Sequence, residues 1–371
     1  MPVAADVPVR DQPDRAVAPP VTLGDALRAR IAHDGPMTLA DYMAACLLDP
    51  DHGYYATRDP FGAAGDFITA PEISQMFGEL IGLCLAQAWL DQGAPAGFAL
   101  AECGPGRGTL MADILRATRA VPGFHAAARV HLVEASATLR AVQATRVPGA
   151  VWLDRVDQLP ELPLFMVANE FFDALPIRQF QRDGAGWRER VVGVKDGALA
   201  LGLTAATPLA ALKARLGDTR DGDIVETCPA MPAIAGTIGA RIAAHGGAGL
   251  VIDYGDWTSL GDTFQAVQDH KETDPLAAPG QADLTAHVDF AALAAAVAPA
   301  RHTRLTPQGV FLERLGIAQR AQTLADGLHE EALDAHIAAH RRLTHPTQMG
   351  DHFKVIGIYP DGATPPPGLN A

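Results

Sequence analysis

Apolar and polar positions follow two rhythms along this chain. Between residues 21 and 93 apolar side chains recur at helical spacing, which predicts amphipathic helices over 23–31, 39–48 and 74–92. Thr38 precedes Asp41 by three positions, a variant of an N-terminal capping box, and Gly93 ends the last helix. From Phe98 onward the apolar residues gather into short runs at 98–102, 129–133, 151–153, 164–168, 249–252 and 353–358. The first five close on Glu102, Glu134, Asp154, Asn169 and Asp253. Short apolar runs alternating with helices predict an α/β protein with a Rossmann-like parallel sheet covered on both faces. Ligands of such sheets sit at the carboxyl ends of the strands.

Residues 176–230 break this rhythm. Their alternating pattern, with turn pairs at Asp183-Gly184 and Asp196-Gly197, predicts inserted β-hairpins. The expected organisation is a disordered tail over 1–20, then an N-terminal helical region over 21–93 that includes an active-site loop. A nucleotide-binding core over 94–175 follows, then an inserted substrate-side subdomain over 176–245. The rest of the core, with a lid loop near His270, covers 246–360, and a second disordered tail covers 361–371. Pro, Asp and Ala content is the reason for the first tail, and the run PDGATPPPGLNA for the second.

Composition narrows the function classes. The formal net charge is −14, which disfavours nucleic acid and favours a basic peptide or protein as partner. No apolar run approaches the roughly 18 residues of a membrane helix. Cys46, Cys84, Cys103 and Cys228 are widely spaced, so neither a zinc knuckle nor a disulfide framework is indicated. Reduced thiols fit a cytosol-like compartment. The N-terminus carries Asp6, Asp11 and Asp14 and lacks an apolar signal core, which argues against a presequence. Leu- and Ala-rich helices leave room for a homodimer face.

The candidate chemistry centres on FALAECGPGRGT, residues 98–109. A strand ends in Glu102, glycines follow at 104, 106 and 108 with Pro105 between, and a helix begins. Glycine accepts positive φ and lets a ligand touch bare backbone. A dinucleotide fingerprint reads G-x-G-x-x-G, whereas this loop reads E-x-G-x-G-x-G. That spacing is similar to the S-adenosylmethionine (SAM) loop of class I methyltransferases. Glycine turns also arise for packing alone. If SAM is the ligand, the loop amides would hold its carboxylate and Glu102 its amino group. Glu134, 26 residues beyond Gly108, stands where a ribose diol needs a bidentate acceptor. Asp154 is either an adenine partner or a surface carboxylate. Asn169, Glu170 and Asp173 in ANEFFDALPIRQF cluster where the fourth strand meets the pocket. An acidic pair there can orient a guanidinium, or Asn169 and Asp173 can cap a following helix while Phe171, Phe172 and Leu175 enter the core. Gly65, Asp66, Phe67 and Gln75 in GDFITAPEISQ are candidates to close over the cofactor. Asp283, His287 and Asp289 in DLTAHVDF suggest a metal cluster at first sight, but supporting histidines are lacking and capping by Thr285 is the simpler reading.

Seven stretches together resemble one family. They are GDFITAPEISQMFGELIG, ECGPGRGTLMADILR, VHLVEASATLR, NEFFDALPIRQF, DYG, GDTFQAVQDHKETDPLAAPGQADLTAHVDF and QGVFLERLGI, spread over about residues 36–358. The chain resembles the SAM-dependent methyltransferases related to the mitochondrial complex I assembly-factor arginine methyltransferase, a group with bacterial members (MidA-like). The resemblance implies a class I methyltransferase fold with a seven-stranded sheet. It implies SAM as cofactor, bound by Glu102, Gly104, Gly106, Gly108 and Glu134, with Asn169, Glu170 and Asp173 at the reaction centre. It implies transfer to a protein arginine, in the mitochondrial member on a complex I subunit. The unadorned N-terminus leads to the expectation of a bacterial cytoplasmic member. Two alternatives stay open at this point: a small-molecule acceptor on the same fold, and a non-catalytic assembly factor.

Overall fold

A computed structural model describes residues 22–57 and 69–371. Its largest sheet is built from β1 (Phe98–Cys103), β2 (Ala128–Val133), β3 (Val151–Leu153), β4 (Leu164–Asn169), β5 (Gly247–Asp256), β6 (Arg301–His302) and β7 (Phe353–Tyr359). Their spatial order is β3-β2-β1-β4-β5-β7-β6. The first five run parallel, and β7 lies antiparallel to β5. Two further two-residue strands, Val288–Asp289 and Thr306–Pro307, pair with β5 and β7, which makes nine strands where seven are expected. Strand order reverses between β1 and β4, so the crevice at their carboxyl ends is the place for a ligand.

The two faces of the sheet are filled by alternate residues of each strand. Phe98 and Leu100 of β1 join the helices Gln75–Asp91 and Thr109–Ala117 in one cluster. Ala99, Ala101 and Cys103 face the other way, against Met231–His245 and Phe290–Ala296. Small residues on that face let the helices lie close to the sheet. β1 and β4 are buried along their whole lengths, so their near-continuous apolar runs reflect two covered faces.

A second sheet holds the strands Arg178–Asp183, Gly186–Lys195, Ala198–Leu203 and Ile224–Thr227. Asp196 and Gly197, at φ 51° and 80°, make the left-handed turn between two of them. Its remaining strand comes from far away: Met37–Thr38 pairs with Val191 and Val192, tying the N-terminal helices to the insertion. Thr38 caps the helix Leu39–Leu48 through Asp41 N–H at 3.0 Å. A third sheet of Gln265–Gln268, Lys271–Thr273 and Asp283–Thr285 occupies the region expected as a lid loop.

Three expectations need correction or restriction. Residues 361–371 are packed, not a disordered tail: Leu369 is buried, and Asn370 O accepts from Arg304 N–H at 2.9 Å. Their Pro- and Gly-rich composition concealed two buried apolar residues, Pro366 and Leu369, and a backbone whose groups find partners. Asp289, not Thr285, caps the helix Phe290–Ala296, accepting from Ala292 N–H at 2.9 Å. The expected tail over 1–20 lies outside the described residues. No helix among the described residues is long and apolar enough to cross a membrane.

Candidate active site

The glycine loop leaves β1 with three alternate residues in the left-handed region: Gly104 at φ 66°, Gly106 at 51° and Gly108 at 80°. L-residues pay a steric penalty there, so the conformation selects glycine. Gly104 also lies against Phe171, whose ring would meet an added Cβ at 3.0 Å. Gly108 ends the loop as the N-cap of the helix Thr109–Ala117, whose dipole favours an anion at this end.

Two buried oxygens beside the loop have no hydrogen-bond partner among the described residues: Glu102 Oε2 and Asn169 Oδ1. Burial pushes Glu102 up to about 8, with a smaller push from Glu134 and an opposing hydrogen bond from Met111 N–H. Orphaned acceptors of this kind are costly, and an ammonium group would satisfy both. The residues therefore fit SAM: loop amides for its carboxylate, Glu102 and Asn169 for its amino group.

Glu134 stands one strand over, at the end of β2. Its Oε1 accepts from Ser136 N–H at 2.7 Å and its Oε2 from Gln143 at 3.2 Å. Each oxygen keeps a further lone pair, so a ribose diol can still be received. Burial raises the Glu134 pKa, and those hydrogen bonds oppose it. Asp154, at the end of β3, is exposed and held by Arg140 at 2.6 Å. Arg140 also donates to Glu134 O at 2.7 Å, so Asp154 sits at an exposed rim beside Glu134 and not in a slot. Gln75 is exposed at the first turn of its helix, and its side chain lines neither cavity of the site. The structure does not bring it to the cofactor region. Gly65, Asp66 and Phe67 lie outside the described residues.

Gln143 is the residue that sequence reading missed. It is fully buried and donates to Gly106 O at 2.7 Å as well as to Glu134, while accepting from Trp152 Nε1 at 2.8 Å. One amide thus couples the glycine loop, the Glu134 carboxylate and β3. Its place in an ordinary amphipathic helix, Ala137–Arg146, carried no local signal.

Two cavities meet at this site. One, about 40 Å³, is lined by Glu102, Gly104, Pro105, Gly106, Asn169 and Glu170 with Thr69, Pro71 and Glu72 over them. The other, about 540 Å³, is walled by Tyr55, Glu170, Asp173, Tyr254 and Asp283. Glu170 and Thr69 belong to both. Glu170 adopts φ 52°, a strained conformation for a residue with a side chain, just where β4 ends. Its Oε1 accepts from Ala70 N–H at 3.2 Å and from Asn169 Nδ2 at 3.0 Å. Burial, helped by the charge of Asp173, lifts its pKa to about 7. Burial likewise raises Asp173 to about 6, and its Oδ1 has no partner among the described residues. Behind them Asp253 Oδ2 gathers the N–H groups of Phe171, Phe172 and Asp173 at 3.2, 2.9 and 3.3 Å. That carboxylate, pushed up by burial and by Asp173 and Glu170, shapes the loop carrying the acidic pair.

A family model described as "Putative S-adenosyl-L-methionine-dependent methyltransferase" matches residues 80–308. The human mitochondrial protein arginine methyltransferase NDUFAF7 is 38% identical over 90% of this chain and 82% of its own length. Its Drosophila melanogaster homolog is 36% identical over 95% of this chain and 89% of its own. A Burkholderia thailandensis protein crystallised with S-adenosyl-homocysteine superposes with a TM-score of 0.79. It is 31% identical and covers 94% of this chain and 92% of its own. With the loop, the orphaned acceptors and the strand order already in place, the chain belongs to the SAM-dependent methyltransferases of this family, an α/β enzyme with SAM as its cofactor.

Proposed function

We propose that this methyltransferase acts on an arginine guanidinium of a protein substrate. The observation that carries the reading is the shared wall: Glu170 borders both the glycine-loop cavity and the larger cavity, where Asp173, Tyr55 and Tyr254 stand with Arg342 and Lys354. Bound SAM supplies an electrophilic methyl group on a sulfonium. The chain's own residues then hold the acceptor, exclude water and take up a proton. Glu170 Oε1 is engaged by Ala70 and Asn169, which leaves Oε2 for an acceptor N–H. Asp173 Oδ1 offers a second acceptor, so the pair can align a guanidinium by charge-assisted hydrogen bonds. Arginine is too basic for simple deprotonation. A proton is released only as the new bond forms, and a carboxylate near pKa 7 is matched to receive it at Glu170 Oε2. Holding the acceptor nitrogen in line with the methyl group contributes to such a displacement.

The relatives' names, protein arginine methyltransferase, support the same reading. A complex I subunit as the acceptor is its narrower form. The test is transfer of labelled methyl from SAM into a lysate. Label recovered as methylarginine in protein is the expected result. Label confined to the small-molecule fraction would reject the proposal, and its absence from every fraction would favour a partner-holding role.

A further inference from the structure

Asp283 walls the larger cavity but has been given no chemical role so far. It lies on the third sheet, more than a hundred residues from the acidic pair in sequence. Yet it is only 7% exposed and lines the same 540 Å³ cavity as Glu170 and Asp173. Tyr55, from the N-terminal helical region, donates to its Oδ1 at 2.8 Å. We propose that Asp283 is an acceptor-binding and specificity-determining residue. With Asp173 it makes a two-carboxylate clamp that receives a guanidinium in preference to an ammonium. The inference rests on the arginine reading of this site and adds the residue that selects for it.

Three observations support the clamp. Asp173 is 5% exposed and lines the cavity, and its buried Oδ1 has no partner among the described residues. A buried carboxylate oxygen left that way asks for a donor from a ligand. The second observation is rigidity. Asp173 O accepts from Ala286 N–H at 3.0 Å, which links the acidic loop to the strand that carries Asp283. Tyr55 O accepts from Ser136 Oγ at 2.8 Å, which anchors the tyrosine to the core beside Glu134. The third is the match of shapes. Guanidinium is planar, presents five N–H donors along separate edges and stacks on rings. Two carboxylates from different elements, with Tyr55 and Tyr254 between, suit that shape. An ammonium concentrates three donors at one point and would engage one carboxylate at a time.

The experiment compares wild type, Asp283→Asn, Asp283→Glu and Tyr55→Phe. The probes are labelled SAM and protein from a lysate at increasing concentration, read as methylarginine after hydrolysis, with SAM affinity measured by calorimetry. Asp283→Asn should raise the lysate protein needed for half-maximal labelling by roughly tenfold or more, with the plateau and SAM affinity within about twofold. Asp283→Glu should recover part of the loss, and Tyr55→Phe should give a smaller rise. Unchanged dose dependence in Asp283→Asn overturns the clamp, as does a loss of SAM binding, which would mark a structural role. If Asp283→Asn does not fold, an unchanged dose dependence in Tyr55→Phe overturns it. Wild type that labels no arginine overturns the parent reading and not the clamp alone.

Discussion

At the scale of single residues, backbone freedom and buried amides decide whether the cofactor corner exists. Gly106 stands at φ 51°, where a β-branched side chain is most strained. Gly106→Val should weaken SAM binding by roughly tenfold or more in calorimetry while the circular dichroism of the fold persists. Gln143 is the complementary case, because its cost is paid in buried groups left alone. Gln143→Leu would strand Trp152 Nε1 and remove the donor to Gly106 O, at about 1–3 kcal/mol for each unsatisfied buried group. A lower urea midpoint together with weaker SAM binding is the expected outcome. An unchanged midpoint would mean that water replaces the amide. The two positions differ in legibility. The glycines announced themselves by spacing, whereas Gln143 resembles any buried residue of its helix until β2, β3 and the loop converge on it.

At the scale of elements, close backbone approach governs the far face of the sheet. Gly239, in the helix Met231–His245, packs against Val297, whose carbonyl oxygen would lie 1.9 Å from an added Cβ. Alanine would raise helix propensity by about 1 kcal/mol. Overpacking typically costs about 1–3 kcal/mol, and a contact with backbone cannot be relieved by rotating a side chain. Gly239→Ala should therefore destabilise, read as a lower urea midpoint, and a higher midpoint would show that the helices separate freely. The acidic loop after β4 follows a similar logic. Its shape depends on Asp253 collecting three N–H groups, so the element that carries Glu170 and Asp173 is held from the neighbouring strand β5.

At the scale of the whole molecule, buried carboxylates from two separate elements, the acidic loop after β4 and the third sheet, line one cavity. Glu170 and Asp173 have folded pKa values near 7 and 6, above their ordinary 4.5 and 3.8. A carboxyl raised by folding holds its proton better in the native state than in the unfolded chain. Its favourable contribution is present below the unfolded value and is lost as pH rises through about 6 and then 7. Binding a cation needs the opposite state, with the protons gone. The kcat/KM for acceptor should therefore rise across about pH 6–7 while the thermal stability of the ligand-free protein falls over the same window. A flat acceptor profile there would contradict the roles given to the pair. Because neighbouring carboxylates interact, the limb belongs to the cluster and not to one residue.

Much of this protein was settled by local chemistry that a linear reading can follow. The apolar runs at 98–102 and 164–168 read as strands buried on both faces, and the glycines at 104, 106 and 108 as a loop that accepts positive φ. Those features depend on periodicity and steric limits within a few residues. The pairing of Met37–Thr38 with the insertion, the packed ending at Leu369, the hub at Gln143 and the place of Asp173 and Asp283 in the lining of one cavity depend on which distant segments come together. Tertiary structure alone decided them, because burial turns an ordinary polar residue into a functional one only when neighbours remote in sequence take away its water.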